Sequence, residues 1–292
     1  MTTSYLDRGE GRIAYEVRGT GPLVVCQHGM GDLRSVFRFT VPALVEAGYR
    51  VAIMDLRGHG DSDDTFSAFD DVAAATDTIA LIEHLGGGEH LGGEEHLGGG
   101  EHLGGGEHLG GRALLVGNSM GAGAAVWAAA ERPDLVAGIA LMGPFVRNPA
   151  ANPLQSLMFR VLLVRPWGPA AWRTYYPRYY PGRRPADLGQ HIERIRTSMR
   201  RGRHWRSFVR TTRTDHTPAR DRLSRVKAPV LVVMGTKDPD WPDPSAEARF
   251  VADALNADLL LVPDSGHYPM AEYPEVVNPS LVAFARRVLT SA

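Results

Sequence analysis

The sequence predicts an α/β fold, a mostly parallel sheet with helices on both faces. Three observations predict it. Continuous apolar runs of strand length, such as "PLVVCQ", "YRVAIMD", "VAGIALMG" and "APVLVVMG", have the pattern of strands buried on both sides. Stretches with helical patterning separate most of these runs. One run, "ALLVGNSMGAGAAVWAA" (113–129), turns from strand to helix within about one residue, at a serine fenced by glycines.

In chain order, "GRIAYEVR" (11–18) alternates as a strand, and residues 22–27 form a buried one. A helix is expected from about Ser35 to Ala47, closed by Gly48, followed by a strand that ends at Asp55. Asp70 to Leu85 reads as helix, Leu114 to Val116 as strand and Ala122 to Ala130 as a helix face. Residues 136–143, 228–235 and 257–263 are further strands, with a helix near Ser245 to Leu255 between the last two. Val276 to Leu289 makes a final helix, bent or restarted at Pro279.

Two stretches break the rhythm. Residues 82–111 hold five copies of a six-residue unit built on "EHLGG", and 13 of the 26 residues from 86 to 111 are glycine. Without the last four copies (88–111) the helix would join the next strand through a short glycine loop, so the copies read as an expansion of a helix-to-strand loop. Such loops lie at the amino ends of parallel strands, away from ligand sites at the carboxyl ends. His84, His90, His96, His102 and His108 recur in the unit, but six residues advance a helix by about 240°, so they share no helical face. A flexible loop is expected there rather than a metal site.

The second break, residues 147–227, has 18 arginines and one lysine against four acidic residues. It reads as a mostly helical cap, with Ile192, Ile195, Met199, Phe208 and Val209 at near-helical spacing. A solvated face explains the arginines; the sharper account is attraction of anionic substrates or surfaces. The chain thus divides into a core of residues 1–146 and 228–292, with the repeat inserted at about 86–111, and a cap of residues 147–227.

At 292 residues the chain can bury a sizeable core, and its formal net charge of −1 gives no overall basic excess for nucleic acid. Cys26 is the single cysteine, so no internal disulfide can form and a reducing cytoplasm is the default. The first residues have no apolar leader run, and no window reaches the length of a membrane span, which again points to the cytoplasm.

Chemistry is expected at Ser119. Its bland alternative is an N-cap serine. A serine hydroxyl needs a base, and the base needs an orienting acid. Asp238, in "VLVVMGTKDPDW", and His267, in "LLLVPDSGHYP", follow the ends of two later strands. Asp240 and Asp264 are rival acids in nearby positions. His28 and His59 sit in glycine turns and read as backbone holders; His191, His204 and His216 belong to the cap. Backbone N–H groups of Met120, at the helix start, and Met30, in "QHGMGD", are the candidate oxyanion donors.

The ordered strings "QHGMGD", "DLRGHGDSD", "GNSMGAG", "GTKDPD" and "SGHYPMAEYPE" resemble the motifs of the α/β-hydrolase superfamily, over nearly the whole chain except the repeat. The resemblance implies an eight-stranded, mainly parallel sheet with a helical cap. It also implies Ser119 as nucleophile, His267 as base, Asp238 as acid and the Met30 and Met120 amides as donors. The expected activity is a cofactor-independent, metal-free, carboxylesterase-like serine hydrolase acting on small esters or related acyl compounds. Two alternatives stay open: a hydrolase of carbon–carbon bonds in an anionic ring-fission-type substrate, and a low-turnover ligand-binding protein. "HGMGDLRS" departs from the glycine- and serine-rich loop of carbon–carbon hydrolases, and a serine rather than an aspartate argues against epoxide chemistry.

Overall fold

The structure, a computed structural model, describes residues 2–86, 111–149 and 153–289. Its centre is one eight-stranded sheet of order β1-β2-β4-β3-β5-β6-β7-β8. The strands are β1 (Ser4–Asp7), β2 (Arg12–Arg18), β3 (Leu23–Gln27), β4 (Arg50–Met54), β5 (Ala113–Asn118), β6 (Val136–Met142), β7 (Val230–Gly235) and β8 (Asp258–Val262). β1 pairs antiparallel with β2 and β2 with β4; every other pair is parallel.

The central strands read as continuous apolar runs because both of their faces are covered. In β5, Ala113 and Leu115 face one hydrophobic cluster, while Leu114 and Val116 face the other. Helices α2 (Asp71–His84), α3 (Met120–Glu131) and α9 (Pro244–Leu255) fill the first side; α1 (Thr40–Glu46) and α11 (Pro274–Leu289) fill the second.

Three details differ from the sequence expectation. β1 is an added strand: only Leu6 of its four residues is buried, so it carries almost no apolar signal. The helix expected from Ser35 to Ala47 is split into a 3₁₀ turn over Arg34–Phe37 and α1. Pro42 lies in the first turn of α1, where a missing N–H costs no helical hydrogen bond. α11 runs unbroken through Pro279, because its buried stripe of Val277, Leu281, Phe284, Ala285 and Val288 docks it along its length.

Between β6 and β7 the chain forms α4 (Pro153–Leu162), α5 (Gly168–Tyr175), a 3₁₀ turn (Tyr176–Tyr179), α6 (Leu188–Met199), α7 (His204–Thr211) and α8 (Thr217–Arg220). Several of its arginines are paired with carboxylates outside the segment, although Arg183 and Arg201 stay more than half exposed. Arg201 reaches Asp61 at 2.7 Å, Arg147 reaches Glu247 at 2.5 Å, Arg222 reaches Glu131 at 2.6 Å, and Arg183 pairs with Glu275. The repeat histidines His90, His96, His102 and His108 lie outside the described residues. His84, at the end of α2, takes part in a hydrogen bond with the Tyr15 hydroxyl at 3.0 Å.

Candidate active site

The strand order reverses at β3, whose neighbours are β4 on one side and β5 on the other. The carboxyl ends of β3 and β5 therefore open onto a topological switch point, where α/β sheets place ligands. Ser119 follows β5 there. Its φ of 55° and ψ of −122° put it in strained, left-handed space, and its side chain caps nothing in α3. The helix-cap reading of this serine is thereby excluded. A Cβ on Gly117 would strike the Gly121 carbonyl, and one on Gly121 would strike the Gln27 carbonyl, so the bend needs both glycines.

The β3 loop passes directly against this bend: a Cβ on Gly29 would lie 2.5 Å from the Ser119 Cβ and 3.0 Å from its Oγ. Met30 comes one peptide later. Met120 opens α3, where the first N–H groups lack intrahelical acceptors. His28 and His59 hold this loop as the sequence suggests. His28 Nε2 accepts from the Leu56 N–H at 3.0 Å, and His59 Nε2 accepts from the Gly31 N–H at 3.1 Å. Burial pushes their pKa down, to about 4 and about 3, so both rings stay neutral acceptors at pH 7.

Asp238 and His267 meet as expected. His267 Nδ1 donates to Asp238 Oδ2 at 2.7 Å, both side chains being buried. Asp240 stands at 3.5 Å from the same nitrogen, and Asp264 is exposed and paired with Lys237. Burial alone would lower the imidazole pKa. The Asp238 charge and hydrogen bond, with the Asp240 charge, outweigh it and raise the value to about 9. Burial raises Asp240 to about 7, against the pull of His267. Among the described residues, Asp238, Asp240 and His267 are the group whose ligand-type atoms cluster, within 4.8 Å. A cation there would have to displace the proton that His267 shares with Asp238.

Ser119 Oγ makes no hydrogen bond among the described residues. The two halves are tied through backbone instead: Asn118 Nδ2 donates to the His267 carbonyl at 3.3 Å and to the Met142 carbonyl at 2.9 Å. A Cβ on Gly143 would lie 3.2 Å from His267 Nδ1 and 3.3 Å from Asp238 Oδ2.

Several supporting residues escaped sequence reasoning. Glu272 is buried and accepts from Ser265 Oγ at 3.0 Å, the Gly266 N–H at 2.5 Å and the Gly182 N–H at 3.0 Å, which clamps the turn bearing His267. Asp32, two residues after Met30, accepts from the Tyr176 hydroxyl at 2.6 Å and lies 2.7 Å from His191 Nε2. His216 pairs with Asp71 at 2.7 Å, and Phe145 packs between His216 and His267. Only Glu272 had a local cue, its place in "SGHYPMAE"; the others join residues far apart in the chain.

Inserted helices close the site. Trp172 and Phe208 pack on Gly31, the Tyr179 carbonyl accepts from the His267 N–H at 3.0 Å, and Ser119 is 5% exposed. A separate cleft of about 970 Å³ lies between α6 and the Arg34–Arg38 turn and touches none of Ser119, Asp238 or His267. Arg34, which lines it, is held by Glu16, Asp55 and Asp61.

Among known proteins, the sequence is 39% identical over 75 residues to a soluble epoxide hydrolase from Corynebacterium sp. strain C12, covering 26% of each chain. It is 37% identical over 51 residues to rat bifunctional epoxide hydrolase 2, covering 18% of this chain and 9% of that one. The matched stretches thus span well under half of these relatives. An esterase from Exiguobacterium antarcticum superposes with a TM-score of 0.78 at 20% identity, covering 98% of this chain and 100% of the esterase. The model of the alpha/beta hydrolase family matches residues 23–279, and together with the eight-stranded sheet this places the chain in that family.

Proposed function

We propose that the protein is a serine hydrolase of small esters or related acyl compounds. The observation that carries this reading is the Asp238–His267 pair, set at the strand ends beside a serine held at φ 55°. In this reading His267 Nε2 takes the Ser119 proton as Oγ attacks the carbonyl carbon. Asp238 fixes the imidazole through Nδ1 and stabilises its cation. The Met30 and Met120 amides hold the oxyanion, the alcohol leaves with the proton from His267, and water then resolves the acyl-enzyme. The helices of residues 147–227 act as a cap that must part to admit substrate.

The epoxide hydrolases among the relatives suggest ring opening, but that reading wants a carboxylate nucleophile where this chain has Ser119. The carbon–carbon reading wants arginines aimed at substrate; those in the ion pairs described above hold core carboxylates instead. Support for the ester reading would come from Ser119→Ala lowering kcat on a short p-nitrophenyl ester by about 10⁴-fold or more. A fluorophosphonate probe should label the wild type and not the variant. Unchanged turnover in Ser119→Ala would remove the reading.

A further inference from the structure

Helix α4 and the turn after it present large apolar side chains to solvent. Leu157, Met158, Val161, Val164 and Trp167 are 48–65% exposed. Their three- and four-residue spacing aligns the first four in one stripe. The other side of the helix is already engaged: Phe159 packs against the inner cluster and Leu163 is buried. A helix apolar on both sides belongs in an interior, and here one side has no cover among the described residues. Trp167 Nε1–H donates to the Val161 carbonyl at 2.9 Å, which lays the indole against the stripe in advance.

Charge selects the occupant. Arg160 and Arg165 are exposed beside the stripe and, unlike Arg147, Arg183, Arg201 and Arg222, have no carboxylate partner among the described residues. Residues 147–227 hold 19 basic and four acidic side chains, while the rest of the chain holds 13 basic and 29 acidic ones. Some of those basic groups are engaged by carboxylates, but the net excess stays with the inserted segment. Arg160 and Arg165 set positive charge, unpaired among the described residues, beside the stripe, which suits an anionic surface. A second copy could cover the apolar stripe, but a two-fold contact would set the same positive rim against itself.

We propose that the α4 stripe is a docking surface for an anionic lipid bilayer. Leu157, Met158, Val161 and Trp167 enter the headgroup–acyl boundary, and Arg160 and Arg165 meet lipid phosphates. The docking does not depend on the hydrolase chemistry, so it can be tested apart from it.

The test is flotation of the 292-residue chain with phosphatidylcholine vesicles, with or without one quarter phosphatidylglycerol. The protein should float with the anionic vesicles at low salt, stay behind with the neutral ones, and be released at high salt. Leu157→Ser/Val161→Ser, with an unchanged thermal melt, should lower partitioning about tenfold or more. Arg160→Gln/Arg165→Gln should lower it about thirtyfold. A blue shift of tryptophan emission on vesicles should be absent in Trp167→Phe. Failure of the wild type to float, or stripe variants that float as well as it does, would overturn the proposal. So would a wild-type dimer that Leu157→Ser/Val161→Ser dissociates without lipid, since the stripe would then be a face between copies.

Discussion

A serine at positive φ costs of order 1–3 kcal/mol, and residue 119 adopts it while its side chain makes no capping bond to α3. The base proposed for it carries its own bias. With a pKa raised to about 9, the imidazole of His267 is mostly protonated at pH 7, and a base must be neutral. kcat/KM should therefore climb as pH rises through the range just below and around 9. The Asp240 charge is one of the causes that raise this pKa. Asp240→Asn should move the climb to lower pH with little loss of plateau rate, whereas Asp238→Asn should depress the plateau itself by about 10⁴-fold. Identical profiles for wild type and Asp240→Asn would show that the second carboxylate does not act on the ring. Ser119, Asp238 and His267 stood out as candidates because each stands just beyond an apolar strand run in a glycine- or proline-marked turn. Asp240 was legible only as a rival, since strand position cannot reveal that both carboxylates reach one nitrogen.

Between elements, the contacts that matter are buried and polar. Asp32 joins the β3 loop to the 3₁₀ turn after α5 and to α6, through Tyr176 and His191. Burial alone would raise its carboxyl pKa, but the charge and hydrogen bond of His191, with His28 and Tyr176, hold it down at about 2. The sign follows: the stabilisation is complete above the ordinary carboxylate pKa of 3.8 and is lost as pH falls through about 2. Asp32→Ala leaves its buried partners unsatisfied and should cost about 3 kcal/mol in urea unfolding at neutral pH. A loss below about 1 kcal/mol would mean that the cluster does not bind the inserted helices to the sheet. Strand runs, α2, α3 and α9 were readable from periodicity. β1 was not, since a four-residue edge strand with one buried side chain has no pattern to read. Nor were the Asp32 and Glu272 clusters, because a single polar letter does not show which distant donor will meet it.

At the scale of the whole molecule, α2 and β5 bracket the hexapeptide repeat, with Gly86 and Gly111 at its described edges. The chain enters β5 at its amino end, and Ser119 follows the opposite end. Lengthening a loop costs little closure entropy, about 0.6 kcal/mol per doubling. Deleting residues 88–111 should therefore leave ester turnover and Tm nearly as they are. A well-folded deletion variant with a large loss of kcat would assign the repeat a part in the chemistry. The change to a strongly basic composition over residues 147–227 was visible in the sequence. The destination of those arginines was not, because the carboxylates they bind, from Asp61 to Glu275, lie far away along the chain.

Cys26 lies on β3 in the middle of the sheet, fully buried, and burial drives its thiol well above the ordinary range. The protein's single sulfhydryl is thus silent while the sheet is intact. Maleimide uptake by the wild type then becomes a clock for opening of the sheet itself. The same silence leaves a clean background, so a thiol placed at residue 158 would take a fluorophore alone and report directly on what touches that helix.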